Sequence, residues 1–265
     1  MKVLKVFKDL VSFLTIIPLA KDESFLETSA KYMFLFPLIG ALIGLLAAVY
    51  FQLSYQVFSA IFSLIGKFTS IHSDLFVKIF ASGFTLAFIL MLTGLQHFDG
   101  LVDLGNVLGL KSIEDRVRVA HAWIVTLRGA IFASLIEFIN FLGILILNSE
   151  LLFASLICSE VCAKLAMVVI PWLGKPSMDG KGSIFARINR RRKINLLSCI
   201  ISMAIIIPLM GIYGLAVVLL GITIGIAMER VSERLFGRVS GDVIGATNEI
   251  CRGASILLIA ALVVR

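Results

Sequence analysis

The sequence predicts an all-α, polytopic membrane protein: a helical bundle of about six to seven transmembrane helices preceded by an N-terminal helix lying in the interface. Three observations carry this. Hydrophobic residues make up 59% of the 265-residue chain, charged residues only 15%, and mean hydropathy is +1.03. Apolar runs recur at the length a membrane demands, since a hydrocarbon core of roughly 30 Å needs about 20 helical residues. The runs also lack the alternation of a barrel strand, and open strands would leave backbone groups unpaired in lipid.

The elements follow in order. Between Lys2 and Leu19, Lys2, Lys5, Lys8 and Asp9 are set among Val, Leu and Phe so that charges and apolar residues take opposite sides, as in an interfacial helix. No small-residue cleavage site follows a clean apolar core, which argues against a removed signal peptide. Spans are expected at 33–53, 75–95, 124–147, 151–172, 194–212, 213–228 and 254–264. The last is short, and gains length if it begins near Val243 with a polar first half buried against its neighbours. The chain from 1 to 265 then reads as a single integral membrane domain.

These spans leave four segments on one side of the membrane: 1–32, 96–123, 174–193 and 230–252. They hold 5, 3, 7 and 4 of the 24 Lys and Arg, whereas the opposite connections hold essentially Lys67. The positive-inside rule therefore assigns the N-terminus and all three motif loops to the cytoplasmic face of the cell membrane. Topology and anionic membrane lipid account for the net charge of +7, and no soluble module exists to carry nucleic acid. Cys158, Cys162, Cys199 and Cys251 lack paired spacing and read as packing thiols.

Polar chemistry concentrates in those segments. In Thr93-Gly94-Leu95-Gln96-His97-Phe98-Asp99-Gly100-Leu101-Val102-Asp103 two acids stand one helical turn apart, where a span ends. Hard oxygen donors on one face suit Mg²⁺, which one or two carboxylates commonly hold while substrate phosphates complete its shell. In Gly237 to Glu249, Asp242 and Glu249 are nearly two turns apart on one face, and Gly241 offers a helix start whose free amides favour phosphate. Close helix packing at Gly241, Gly245 and Ala246, with Asp242 as a cap, explains the same residues without chemistry. In Gly174 to Phe185, glycines and Pro176 form a loop from which Lys175 and Lys181 reach phosphate; the run Arg190 to Lys193 reads as a topology anchor.

These segments, in this order, resemble the cobalamin synthase family, the adenosylcobinamide-GDP ribazoletransferases. Phe13-Leu14-Thr15-Ile16-Ile17-Pro18-Leu19 is similar to the family's FLTRIPLP-like opening, and Phe36-Pro37-Leu38-Ile39-Gly40 with Gly44 to its FPLVG motif. His97 to Asp103 resembles HLDGLAD, Gly174 to Phe185 the GRP...GLG...F loop, and Gly241 to Glu249 the GDVLGATNE segment.

The resemblance implies an Mg²⁺-dependent transferase that joins adenosylcobinamide-GDP to α-ribazole or its 5′-phosphate and releases GMP. Displacement at a phosphoanhydride needs charge neutralisation, a positioned hydroxyl and a stabilised leaving phosphate. On this reading Asp99 and Asp103 hold Mg²⁺, and Asp242 and Glu249 complete the metal site or orient the ribazole hydroxyl. Lys175, Lys181 and Arg187 take the guanylate phosphates, with Asn248 also at the substrate, and His97 is either a general base or an anchor of its loop. Monomer and homo-oligomer both fit the sequence.

Two departures from the family pattern stand out. Asn106 and Ala122 occupy positions where the family usually carries acids. The chain then binds metal differently, accepts a variant substrate or is a degenerate relative, with the Asn106 carbonyl as a weaker ligand. Within the spans, Glu137, Asn140, Glu160 and Lys164 are polar intrusions, each charge costing about 2.5–3.5 kcal/mol at mid-bilayer. They read either as a self-neutralising packing site or as a transport pathway, the main non-enzyme alternative. The aspartate spacing of the CDP-alcohol phosphotransferases, a second Mg²⁺ enzyme class, is absent.

Overall fold

The computed structural model describes residues 2–20, 24–67, 73–120, 122–176 and 180–263. Among them there are twelve α-helices and no strand: α1 (Lys2–Leu14), α2 (Phe25–Lys31), α3 (Phe36–Ile65), α4 (Ser73–Leu92), α5 (Gln96–Val107), α6 (Ile113–Ala120), α7 (Leu127–Ile146), α8 (Ser149–Leu173), α9 (Lys181–Asn189), α10 (Leu196–Met210), α11 (Tyr213–Phe236) and α12 (Gly241–Val263). Seven of these, α3, α4, α7, α8, α10, α11 and α12, are long and apolar enough to cross a membrane. The first span is longer than expected, because its apolar run continues past Leu53 to Ile65. The last starts at Gly241, and Val243 to Glu249 are all buried, so its polar first half is indeed turned into the bundle.

Helix α8 is the hub: it packs on α3, α10, α11 and α12, and 83% of its most apolar stretch is buried. Small residues bring the neighbours close. A Cβ on Gly40 would lie 2.6 Å from the Glu160 carbonyl oxygen, and one on Gly44 2.6 Å from that of Leu156, so the Phe36-to-Gly44 motif is the seam between α3 and α8. Gly221 and Gly225 do the same for α11 against α8. The outward faces of α3, α4, α7 and α10 expose Leu45, Leu53, Phe84, Ile131, Phe138 and Ile200, the complement expected toward lipid.

Helix α1 buries Val6, Leu10, Val11 and Leu14 and leaves Val3 and Leu4 exposed. Asp9 is not on its polar side, as the charge pattern suggested, but is 3% exposed where α1 meets α2. The short helices α1, α2, α5, α6 and α9 gather at the ends of the spans, and their packing creates the site.

Candidate functional site

A cavity of about 770 Å³ opens where α1, α5, α6 and α9 meet the starts of α3 and α12 and the end of α11. Each of the four segments assigned to one side of the membrane contributes to it: Phe13 and Leu14; Gln96 to Trp123; Gly180 to Phe185; and Phe236 to Gly245.

The chain reaches the site through a tight reversal after α4. Gly94 (φ +64°) and Leu95 (φ +59°) are both left-handed, a conformation that glycine adopts at little cost and leucine does not. The turn sends α5 back along the membrane face, with Asp99 exposed and Asp103 half-buried at i and i+4 along the cavity wall. Opposite lies the start of α12. The Ser240 hydroxyl accepts the Asp242 N–H at 3.2 Å and donates to Asp242 Oδ2 at 3.0 Å, fixing that carboxylate at the first turn. The two helices touch through glycines. A Cβ on Gly100 would lie 2.5 Å from the Asp242 carbonyl oxygen, and one on Gly245 3.3 Å from that of Gln96. Asp99, Asp103 and Asp242 thus line one cavity.

The start of α9 meets the start of α12. A Cβ on Gly182 would stand 2.6 Å from the Gly241 amide nitrogen, and both glycines line the cavity. The N-termini of two helices, each carrying a partial positive charge, thus border the same cavity. The Val239 N–H donates to the Lys175 carbonyl at 2.9 Å, tying the 237–240 loop to the 174–176 loop and presenting Arg238 and Ser240 to the cavity.

The expected cations are placed otherwise. Lys175 is exposed and ion-paired to Glu233 at 2.7 Å, and Arg187 is exposed on the outer side of α9; neither lines the cavity. Ser177 to Asp179 and the Lys181 side chain lie outside the described residues. Among the described side chains that line the cavity the cation is Arg238, in the Gly237-to-Glu249 segment. Its only sequence signal was its place four residues before Asp242.

Glu249 and Asn248 lie away from the cavity wall. They share the helical stripe of Asp242, but seven residues of rise carry Glu249 about 10 Å deeper into the bundle. Both are 0% exposed and neither lines the cavity. Instead the Lys164 ammonium donates to Asn248 Oδ1 at 2.6 Å and to Glu160 Oε2 at 3.4 Å, and the Asn248 amide donates to Glu249 Oε1 at 3.0 Å. The Arg252 guanidinium pairs with both Glu160 and Glu249. Asn140 donates to Glu137 Oε2 at 3.1 Å beside this group. The intramembrane polar residues are therefore one enclosed network beneath the cavity that ties α7, α8 and α12 together.

His97 joins the two levels. It lines the cavity, is 5% exposed, and its Nδ1 lies 3.7 Å from Glu249 Oε1. Burial first, then the positive charges of Lys164 and Arg252, holds its pKa well below the usual imidazole range, so the ring is neutral at pH 7.

Asn106 reaches Asp103, its Nδ2 donating to Asp103 Oδ1 at 3.5 Å, but its stronger bonds go to the neighbouring loop. Its Oδ1 accepts the Thr126 N–H at 2.9 Å and the Thr126 hydroxyl at 2.8 Å, while its Nδ2 donates to the Ile124 carbonyl at 2.8 Å. Both lone pairs are spent pinning the 122–126 loop and capping α7, so the carbonyl is not presented as a ligand. Ala122 is exposed on that loop. Among the described residues no three His, Cys, Asp or Glu side chains form a ready-made metal cluster. The acids that line the cavity, Asp99 and Asp103 on α5 and Asp242 on α12, are hard oxygen donors of the kind that suits a divalent ion when substrate oxygens complete its shell.

The profile of the family described as cobalamin-5-phosphate synthase matches residues 6–260. An adenosylcobinamide-GDP ribazoletransferase of Archaeoglobus fulgidus is 30% identical over 96% of both chains. Proteins of the same name from Methanocella arvoryzae and Haloquadratum walsbyi are 29% and 26% identical, covering 95% and 93% of this chain and 94% and 93% of their own. No solved structure matches it. With the match running from α1 to α12, the chain belongs to the cobalamin-5-phosphate synthase family.

Proposed function

We propose that the protein is an Mg²⁺-dependent adenosylcobinamide-GDP ribazoletransferase of the cell membrane, with its cavity facing the cytoplasm. It joins adenosylcobinamide-GDP to α-ribazole or its 5′-phosphate and releases GMP. The observation that carries the reading is that three carboxylates, Asp99, Asp103 and Asp242, line one cavity together with Arg238 and the starts of α9 and α12. That combination suits a diphosphate: amides and a guanidinium take phosphate oxygens, while acids are tolerable there only with a cation between. The cytoplasmic orientation rests on the Lys and Arg distribution.

In the reaction a ribazole hydroxyl attacks the phosphorus that bears the cobinamide chain. A new P–O bond forms, the bond to the guanylate oxygen breaks, and GMP leaves. Asp99, Asp103 and Asp242 would hold Mg²⁺, which when bound would neutralise the diphosphate charge. The amides at Gly182 and Gly241 bind phosphate oxygens, and Arg238 stabilises the charge growing on the departing guanylate. His97, neutral and lining the cavity, accepts the hydroxyl proton, its Nδ1 lying 3.7 Å from Glu249 Oε1.

The test is GMP release by the detergent-purified protein given adenosylcobinamide-GDP and α-ribazole 5′-phosphate, with and without Mg²⁺. Release that needs Mg²⁺ and disappears in Asp99→Asn is expected. Folded protein in lipid that releases no GMP overturns the assignment and favours a degenerate relative.

A further inference from the structure

We infer that the loop from Trp123 to Leu127 is seated in the headgroup layer of the bilayer, so that the cavity opens along the membrane surface on this side and lipid is the partner of its rim. The inference depends on α7 spanning the membrane and not on the reaction assigned to the cavity. Trp123 is 95% exposed, and Ile124, Val125 and Leu127 beside it are exposed as well, a run of apolar side chains that water would not favour. Trp123, Ile124 and Val125 also line the cavity, so these residues form its rim. The Trp123 backbone is left-handed (φ +52°), a conformation that costs a bulky residue energy, and it carries a ring that the rest of the chain barely covers.

Helix α7 sets the depth. Its 20 residues, Leu127–Ile146, rise about 30 Å, the thickness of the hydrocarbon core, so Leu127 stands at the edge of that core. Leu127, Ile131, Leu135 and Phe138 are exposed at helical spacing, one stripe of α7 toward lipid, and the loop continues it outward. Asn106 keeps the loop down, because its bonds to the Ile124 carbonyl and to the Thr126 N–H and hydroxyl tie it to α5. Trp123 is thus separated from the core edge by four residues of chain, at most about 14 Å. The headgroup layer is where an indole, apolar in body with one N–H donor, is best accommodated. Arg128, exposed at the same level, adds a cation that suits lipid phosphate. A soluble protein could cover the loop but not the α7 stripe that it continues, whereas lipid covers both.

The experiment places the native chain and Trp123→Phe in phosphatidylcholine nanodiscs and takes the difference in fluorescence as the emission of Trp123, the other tryptophan of the chain being Trp172. Because the Trp123 side chain is almost uncovered, the variant keeps the native packing. Three quenchers read its position: lipid brominated high on the acyl chain, lipid brominated near the chain end, and aqueous iodide. The Trp123 signal is expected to fall about twofold or more with the high bromine, and less than half as much with the deep bromine or with iodide. Quenching by iodide with little effect of either bromine would overturn the inference, leaving the loop in water as a contact for substrate or a soluble protein. Strongest quenching by the deep bromine would overturn it by making the loop part of the span, and protection from all three would overturn it in favour of a second copy covering the loop. The readout needs no turnover, so a protein that shows the shallow quenching but releases no GMP loses the transferase reading and keeps the membrane-seated rim.

Discussion

Gly100 on α5 lies directly against the backbone of Asp242 on α12, with no space for a Cβ between them. This contact sets the distance between the two acidic walls of the cavity. Gly100→Ala must push the helices apart, because the obstruction is a backbone carbonyl and no rotamer relieves it. Overpacking of this kind costs about 1–3 kcal/mol. We predict at least a tenfold loss of kcat/KM with a modest fall in Tm. Gly245→Ala, whose nearest neighbour is at 3.3 Å, should change activity less than threefold. Equal effects would disconnect the glycine contact from the site.

Asn106 separates two accounts of the missing family acid. If an acid there is a metal ligand, Asn106→Asp should restore affinity for Mg²⁺. The structure predicts otherwise: the substitution sets a carboxylate oxygen against the Ile124 carbonyl in place of an amide donor. We expect a loss of about 1–3 kcal/mol in thermal unfolding and no tighter Mg²⁺ dependence of GMP release. A lower half-saturating Mg²⁺ concentration would show that Asn106 stands in for a ligand.

Arg252 is 0% exposed between two equally buried carboxylates, Glu160 and Glu249. Arg252→Leu leaves both without their guanidinium in the bilayer, at a cost of about 3–5 kcal/mol. The protein should unfold at much lower temperature, and adding Glu160→Gln should recover part of the loss. A native Tm in the single variant would mean that the network does not hold the bundle together.

His97 gives a pH signature. Its folded pKa is depressed by burial and by Lys164 and Arg252, with Glu249 opposite its Nδ1, so between that value and about 6.5 the unfolded chain binds more protons. The associated stability is fully present above about pH 6.5 and is lost as pH falls toward the folded value. Thermal scans should show Tm falling on acidification below pH 6.5, with a smaller fall in His97→Asn. A Tm that rises in that window would contradict the placement of the ring.

Much of this was legible in the sequence, for physical reasons. Span number follows from apolar length, and the shared face of the four polar segments follows from where Lys and Arg fall. Asp99 and Asp103 could be paired because one helical turn is a local relation. The rest required three dimensions. Asp242 and Glu249 share a stripe but not a depth, so helical phase alone grouped a cavity acid with a buried one. Lys175 and Arg187 were named where Arg238 was not, because the placement of Arg238 at the cavity depends on how the 237–240 loop is tied to the 174–176 loop by the Val239-to-Lys175 backbone bond. The role of Asn106 depends on Thr126, twenty residues away.

The claim that α5 and α12 act on one diphosphate is tested most directly by a double-mutant cycle on kcat/KM for GMP release, using Asp99→Asn, Asp242→Asn and the pair. If both acids serve one charge centre, each single change removes most of the activity, shifts the Mg²⁺ dependence upward, and the pair costs little more than either alone. If the two effects multiply, and only one variant alters the Mg²⁺ dependence, the acids work independently and the shared site is wrong.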